Sequence, residues 1–131
     1  MFILLQDQKN NFMDNKYFEK IRIFDGGMGQ ELLSKGLISK GTLWSASALI
    51  EKKFHKLVID AHISYINAGA DIIVSNNFSA RKIRFIQNKV LDKFQYANEQ
   101  AGILANKARE ISKQNISVSY THLTLPTIRL V

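Results

Sequence analysis

The stretch that decides the fold is Ile23-Phe24-Asp25-Gly26-Gly27-Met28-Gly29-Gln30-Glu31-Leu32-Leu33. The apolar run over residues 21–24 ends in an acidic residue and two glycines, and a helical pattern begins at Met28. Gly36 is a typical C-terminal stop for that helix. A strand, a tight turn and a helix in this order open a parallel α/β unit. Asp25 is therefore predicted at the carboxyl end of a strand, where parallel α/β folds bind their ligands.

The glycines of this turn leave two interpretations open. Gly26 and Gly27 let the backbone adopt positive φ and let a ligand come close. The turn is a poor match to a nucleotide loop, because the third glycine of G-x-G-x-x-G and a Gly-Lys-Ser/Thr sequence are both missing. In the other interpretation the turn is purely structural, and Asp25 caps the following helix.

A second βα unit is predicted downstream. Apolar residues recur at helical spacing over residues 51–67, and Gly69 follows as the stop. Residues 70–74 form a β-branched run without alternation, which is typical of a parallel strand covered on both faces. We predict that segments 21–25 and 71–75 pair in parallel, with the helix packed across them. The second strand ends in the small polar cluster Ser75-Asn76-Asn77.

Helical spacing continues from Val90 to Ile111, and a third strand is predicted to open near residue 115. Two histidines lie on the preceding helix. His55 and His62 are seven residues apart, or about 10 Å in rise, which is too far to share one metal ion. His62 is predicted to be a partly buried, hydrogen-bonded histidine.

Three motifs in this order resemble the homocysteine S-methyltransferase family. They are Asp25 to Leu32, Leu43 to Ala46 (Leu-Trp-Ser-Ala), and His62 to Phe78, which contains Ala-Gly-Ala-Asp followed by Ser-Asn-Asn-Phe. The resemblance runs collinearly from about residue 21 to residue 117. It implies an α/β fold in the form of an incomplete (β/α)₈ TIM barrel, with the first two to three βα units present.

The resemblance also implies a chemistry. Family enzymes transfer a methyl group from a sulfonium-type donor to homocysteine, giving methionine. They use zinc held by three cysteines of later strands, and zinc deprotonates a bound thiol. This sequence has no cysteine, so we assign it no metal ligand and no catalytic residue, and we expect the fragment itself to be inactive.

What the resemblance assigns to this chain is part of a substrate pocket. Asp25 would accept a hydrogen bond from the substrate ammonium group. Gly26 and Gly27 would let the backbone approach the substrate closely. Ser75 stands where relatives carry a substrate-contacting threonine. Trp44 and Asn77 would line the same mouth.

Composition fits one soluble globular domain, with 131 residues, 46% hydrophobic and 22% charged. The net charge of +7 would suit a basic helical fragment that binds nucleic acid or another partner without catalysis. The basic residues are spread along the chain, however, which favours a solvated surface and no nucleic-acid or membrane partner. A different TIM-barrel enzyme is a further alternative. The absence of cysteine is compatible with a cytoplasmic location.

The two ends of the chain differ from its centre. Residues 1–17 are Asn-rich without periodicity and are predicted to be a disordered extension. Residues 18–117 would be the N-terminal part of a homocysteine-binding barrel. Residues 118–131 contain the only proline and three of the four threonines, and Val118 to Thr127 resembles the translation of a transposase-type sequencing adaptor. We therefore predict that this tail is non-native.

Overall fold

The computed structural model of the chain describes residues 2–6 and 15–122. Within these ranges lie the strands β1 (Phe2–Gln6), β2 (Ile72–Val74) and β3 (Ser117–His122). The helices are α1 (Met28–Ser34), α2 (Ser47–Ile50), α3 (His55–Asn67), α4 (Lys82–Gln87) and α5 (Phe94–Ser112). Short 3₁₀ turns lie at Asn15–Glu19, Gly41–Ala46, Lys52–Phe54 and Leu91–Lys93.

Parallel pairing organises the centre of the fold. β2 pairs in parallel with β3, with Ile73 opposite Val118. On its other side Ile72 forms a parallel bridge with Phe24, and the Asp25 amide donates to the Ile72 carbonyl over 3.0 Å. The predicted parallel pairing of segments 21–25 and 71–75 is thus confirmed. It is limited to one isolated bridge, so residues 21–24 do not form a full strand.

The outer edge of β3 is covered by β1, which pairs with it antiparallel from Phe2 opposite His122 to Gln6 opposite Val118. Disorder was expected for residues 1–17, and that prediction is wrong for residues 2–6 and 15–17, which form β1 and the start of a 3₁₀ turn. The apolar run of β1 satisfies backbone groups that the edge of β3 would otherwise leave unpaired. The first five residues of the predicted non-native tail lie in β3, and residues 123–131 lie outside the described residues.

The helices match the predicted pattern better at their ends than at their beginnings. Gly36 and Gly69 have φ of +101° and +110°, so both serve as the predicted stops. The helix predicted over residues 51–67 begins only at His55, because Glu51 is extended and a 3₁₀ turn intervenes. Two lysines, Lys40 and Lys53, hold the Glu51 carboxylate at 2.6 and 3.1 Å.

The core lies between the helices and one face of the sheet. Helix α3 packs against both β2 and α5, and Ile66, Ile73, Ala105, Ile116 and Val118 form a buried cluster at that junction. A larger apolar cluster joins all five helices, α3 and α5 included, and contains the fully buried Leu32 and Phe85. Within the described ranges, no helix is both long enough and apolar enough to cross a membrane.

Candidate functional site

A hollow of about 980 Å³ opens where the parallel pairing of the three segments ends. Each segment contributes to its wall, through Asp25, Ser75 and Ser119. Four predicted site residues therefore share one cavity, since Gly26 and Trp44 line it together with Asp25 and Ser75. The two others, Gly27 and Asn77, are not part of its wall.

Asp25 links the first segment to β2 at the edge of this hollow. Its Oδ2 atom accepts a hydrogen bond from the Val74 amide over 3.0 Å. Burial raises the pKa of the Asp25 carboxyl from 3.8 to about 6, and the Val74 hydrogen bond opposes part of that rise. The carboxyl is therefore mainly ionised at neutral pH, and it forms an anionic acceptor in a partly desolvated place.

The turn after Asp25 contacts Tyr65 of α3. A Cβ atom on Gly26 would lie 3.1 Å from Tyr65 Cε1, and the Tyr65 hydroxyl donates to the Gly27 carbonyl over 3.2 Å. Partial burial raises the pKa of the Tyr65 hydroxyl, with smaller contributions from the Glu31 and Asp25 charges, so the hydroxyl keeps its proton. Nothing in the sequence distinguished Tyr65 from the other residues at helical spacing in this segment, so this contact was missed.

Trp44 forms one side wall of the hollow in an unusual backbone conformation. Its φ of 53° and ψ of −129° interrupt the turn Gly41–Ala46, and φ is rarely positive in a bulky residue. The indole lies directly against Gly29 of α1. A Cβ atom on Gly29 would overlap the indole Nε1 atom and come within 2.8 Å of Cε2. The lack of a side chain at position 29 thus sets the position of the indole.

We expect Gly29→Val to displace the indole of Trp44 toward solvent, because the new side chain would occupy its present position. Trp44 is the only tryptophan of the chain and is 39% exposed, so its emission should shift to longer wavelength. Gln30→Val is the matched control, since Gln30 is an exposed neighbour on the same helix. Identical emission spectra for wild type and Gly29→Val would contradict this arrangement.

Behind the Ser75 side of the hollow lies a chain of buried polar groups. The Ser75 hydroxyl donates to Asn77 Oδ1 over 2.9 Å, and Asn77 Nδ2 donates to Asn98 Oδ1 over 3.1 Å. Asn77 thus supports Ser75 from behind the wall of the cavity. Asn98, which lies on α5, was missed by sequence reasoning because nothing distinguishes it from other polar residues of that helix.

The residues that the structure describes do not fit a zinc site. Among residues 2–6 and 15–122, no three His, Cys, Asp or Glu side chains are grouped as metal ligands, and the sequence contains no cysteine. His62, which was predicted to be partly buried and hydrogen-bonded, is completely buried. Neither of its ring nitrogens has a hydrogen-bond partner within the described part of the chain, so that prediction is wrong.

Comparison with known proteins agrees with the resemblance. The family model described as Homocysteine S-methyltransferase matches residues 22–125, which includes eight residues of the predicted tail. Homocysteine S-methyltransferase 1 of Zea mays is 38% identical over 64 residues, which are 49% of this chain and 19% of that protein. Homocysteine S-methyltransferase of Escherichia coli (strain K12) is 33% identical over 97 residues, covering 70% of this chain and 29% of that protein.

Selenocysteine Se-methyltransferase of Brassica oleracea var. italica is 34% identical over 98 residues, covering 75% of this chain and 26% of that protein. The crystal structure of the homocysteine methyltransferase MmuM from Escherichia coli, in its metallated form, superposes with a TM-score of 0.62 at 28% identity. The matched region covers 74% of this chain and 34% of that chain. The chain thus spans only about a fifth to a third of the length of these relatives. A match over most of its own length shows that the chain belongs to the homocysteine S-methyltransferase family.

Proposed function

We propose that this chain is the first part of a (β/α)₈ barrel that methylates homocysteine to methionine when complete. Two features support an incomplete barrel. Three adjacent segments run parallel, with α3 and α5 lying between them in the sequence, and the chain covers 34% of the superposed homocysteine methyltransferase. The methyl donor in this proposal is a sulfonium-type compound.

The observation that carries the proposal is the shared hollow of Asp25, Gly26, Trp44 and Ser75 at the carboxyl ends of parallel segments. Asp25 would bind the ammonium group of homocysteine, since an ionised carboxylate forms strong charge-assisted hydrogen bonds. Gly26, together with Gly27 behind it, would let the substrate approach the backbone. Ser75 would add a second polar contact, supported by Asn77.

Ionising the homocysteine thiol would require a metal, and the described residues contain no group of metal ligands. Zinc is the metal that we propose for the intact family enzyme, held by cysteines that this chain does not contain. The described residues contribute binding and orientation of the amino-acid end of homocysteine. The 131-residue chain is accordingly expected to bind homocysteine without converting it to methionine.

Binding of L-homocysteine to the purified chain, measured by calorimetry or by Trp44 emission, tests the proposal. We expect Asp25→Asn to weaken binding by about 10- to 100-fold, as for the loss of a hydrogen bond to a charged group. The substitution keeps the size of the side chain and its ability to accept from the Val74 amide. Asp92→Asn is the matched control, because Asp92 is exposed and its ion-pair partner among the described residues is Lys93, at 4.0 Å.

The pH dependence of binding separates this role from a merely structural one. Affinity should fall as pH drops through about 6, where the Asp25 carboxyl takes up its proton, and Asp25→Asn should abolish that dependence. Equal affinity of wild type and Asp25→Asn at pH 7 would exclude Asp25 as the ammonium-binding group. Absence of homocysteine binding by the wild-type chain would exclude the pocket assignment as a whole.

A further inference from the structure

Asn98 of α5 is held in one orientation by two backbone carbonyl groups. Its Nδ2 atom donates to the Phe94 carbonyl over 2.9 Å and to the Ala80 carbonyl over 3.4 Å. A carbonyl oxygen accepts hydrogen bonds and cannot donate them. The amide nitrogen of Asn98 must therefore face these carbonyls. Its Oδ1 atom must face the next residue in the series of hydrogen bonds.

That next residue is Asn77, which is oriented in turn. Its Nδ2 atom donates to Asn98 Oδ1 over 3.1 Å, so its own Oδ1 atom faces Ser75. The Ser75 hydroxyl donates to that oxygen over 2.9 Å. Ser75 and Asn77 are only 4% and 7% exposed, and a reversed amide in so buried a place would set two donors or two acceptors against each other.

The direction of the hydrogen bonds from Asn98 through Asn77 determines whether the Ser75 hydroxyl donates or accepts at the hollow. A serine hydroxyl has one proton and two acceptor lone pairs, and the proton is directed at Asn77. Any further hydrogen bond of the Ser75 Oγ atom is one that it accepts. Ser75 and Asp25 line the same hollow, so a ligand donor that reaches the Ser75 Oγ atom meets an acceptor there.

From this geometry we propose that Asn98 is a positioning residue which, through Asn77, makes Ser75 an acceptor and so selects a ligand with a donor group at that point. The inference rests on the proposed function, in which this donor is the ammonium group of homocysteine. It assigns a specificity role to a residue on α5 that does not line the hollow. Without Asn98, the Asn77 Nδ2 atom loses this acceptor, and α5 no longer determines the direction of the Ser75 hydrogen bond.

The test compares L-homocysteine with its desamino analogue 4-sulfanylbutanoate, which lacks the ammonium group. Calorimetry on the 131-residue chain gives the ratio of the two affinities for wild type, Asn98→Ala and Asn106→Ala. The expected result is a preference for homocysteine in the wild type that falls in Asn98→Ala on the order of tenfold, the size of one hydrogen bond. Asn98→Ala weakening both ligands equally would overturn the proposal, since a merely structural role predicts that result.

Asn106 is the matched control because it is also an asparagine of α5. Its Nδ2 atom donates to the carbonyl four residues earlier, that of Gly102, over 3.0 Å, as Asn98 does to Phe94. Its other amide contact is the Tyr120 hydroxyl. Asn106→Ala should therefore keep the wild-type preference for homocysteine. A loss of preference equal to that of Asn98→Ala would count against a specific role for Asn98.

A measurement without ligand tests the same chain of hydrogen bonds. The side-chain amide protons of Asn77 should exchange slowly with water in the wild type and faster in Asn98→Ala, as followed by nuclear magnetic resonance. Fast exchange in the wild type would overturn the proposal. Should the wild type bind neither ligand, the proposed function fails, while the exchange rates still decide whether Asn98 orients Asn77.

Discussion

Replacing Phe85 by alanine is expected to lower the free energy of unfolding by about 3 to 5 kcal/mol, the usual cost of emptying a buried aromatic site. Phe85 is fully buried and meets Phe94 edge-to-face, with the ring centroids 5.5 Å apart. It joins α4 to the larger apolar cluster. Its removal leaves a cavity that the surrounding helices fill only in part. Urea unfolding followed by circular dichroism measures the change.

Ile86→Ala on the same helix is the matched control, because Ile86 is 49% exposed. Its loss should be below about 1 kcal/mol, since exposed positions contribute little. Helix α4 also carries Arg84 and Gln87, which line the hollow, so Phe85→Ala should weaken homocysteine binding as well. Equal destabilisation by the two substitutions would show that α4 is not anchored through Phe85.

The parts of the fold that were predicted correctly have strong local signals. The turn after Phe24 combines an apolar run, an acid and two glycines, and the structure has a parallel bridge followed by α1 there. Gly36 and Gly69 end their helices in left-handed conformations, which glycine adopts without steric cost. Long helices such as α5 show several repeats of the 3.6-residue period.

The parts that were missed depend on contacts distant in sequence or on very short elements. Helix α4 has only six residues, too few for a period to be recognised. The strand β1 exists because β3 offers a free edge, a property of the assembled sheet and not of residues 2–6. The 3₁₀ turn that delays α3 follows Glu51, whose carboxylate is held by Lys40 from a distant loop.

The residues of the candidate site also fall into a group that the sequence predicts and a group that it does not. Asp25 and Ser75 were placed at the site because they follow predicted parallel strands, and the family resemblance added Gly26 and Trp44. Asn98 and Tyr65 act through helices that pack behind or beside those ends, and no spacing in the sequence reveals which helical residue faces them. The resemblance placed Asn77 in the pocket wall, whereas it lies behind Ser75.

A fall in pH is expected to change the free energy of unfolding through both His62 and Asp25, with opposite signs. Complete burial lowers the pKa of the His62 imidazole from 6.5 to about 4. Between these values the unfolded chain binds a proton that the folded chain does not, so stability is lost as pH falls from about 6.5 toward 4. The full difference corresponds to about 3 kcal/mol.

Asp25 has the opposite sign. Its pKa is raised from 3.8 to about 6 in the fold, chiefly by burial, so between these values the folded chain binds a proton that the unfolded chain lacks. The associated stability is present below about pH 4 and is lost as pH rises through 6. Since the carboxyl is partly exposed, we discount the effect to about 2 kcal/mol. The two groups therefore largely cancel between pH 4 and 6.

Removing either titratable group should reveal the pH dependence that the other gives to the free energy of unfolding. Asp25→Asn should make the chain lose about 1 kcal/mol more than the wild type between pH 7 and 4.5, because the offsetting carboxyl is gone. His62→Leu should make the chain more stable relative to the wild type on acidification, since the leucine cannot be protonated. His55→Gln controls for loss of a histidine, as His55 is bonded through Nε2 to the Leu49 carbonyl and lies outside the hollow.

Urea unfolding of the four proteins at pH 4.5, 5.5 and 7 gives the required free energies. Other carboxylates, including Glu51 with its lysine partners, titrate in all four proteins, so their effects cancel when each variant is subtracted from the wild type. Parallel pH curves for wild type and His62→Leu would mean that the imidazole is hydrated or hydrogen-bonded in solution. Parallel curves for wild type and Asp25→Asn would mean that the carboxyl is not desolvated, which would also remove the reason for homocysteine affinity to change near pH 6.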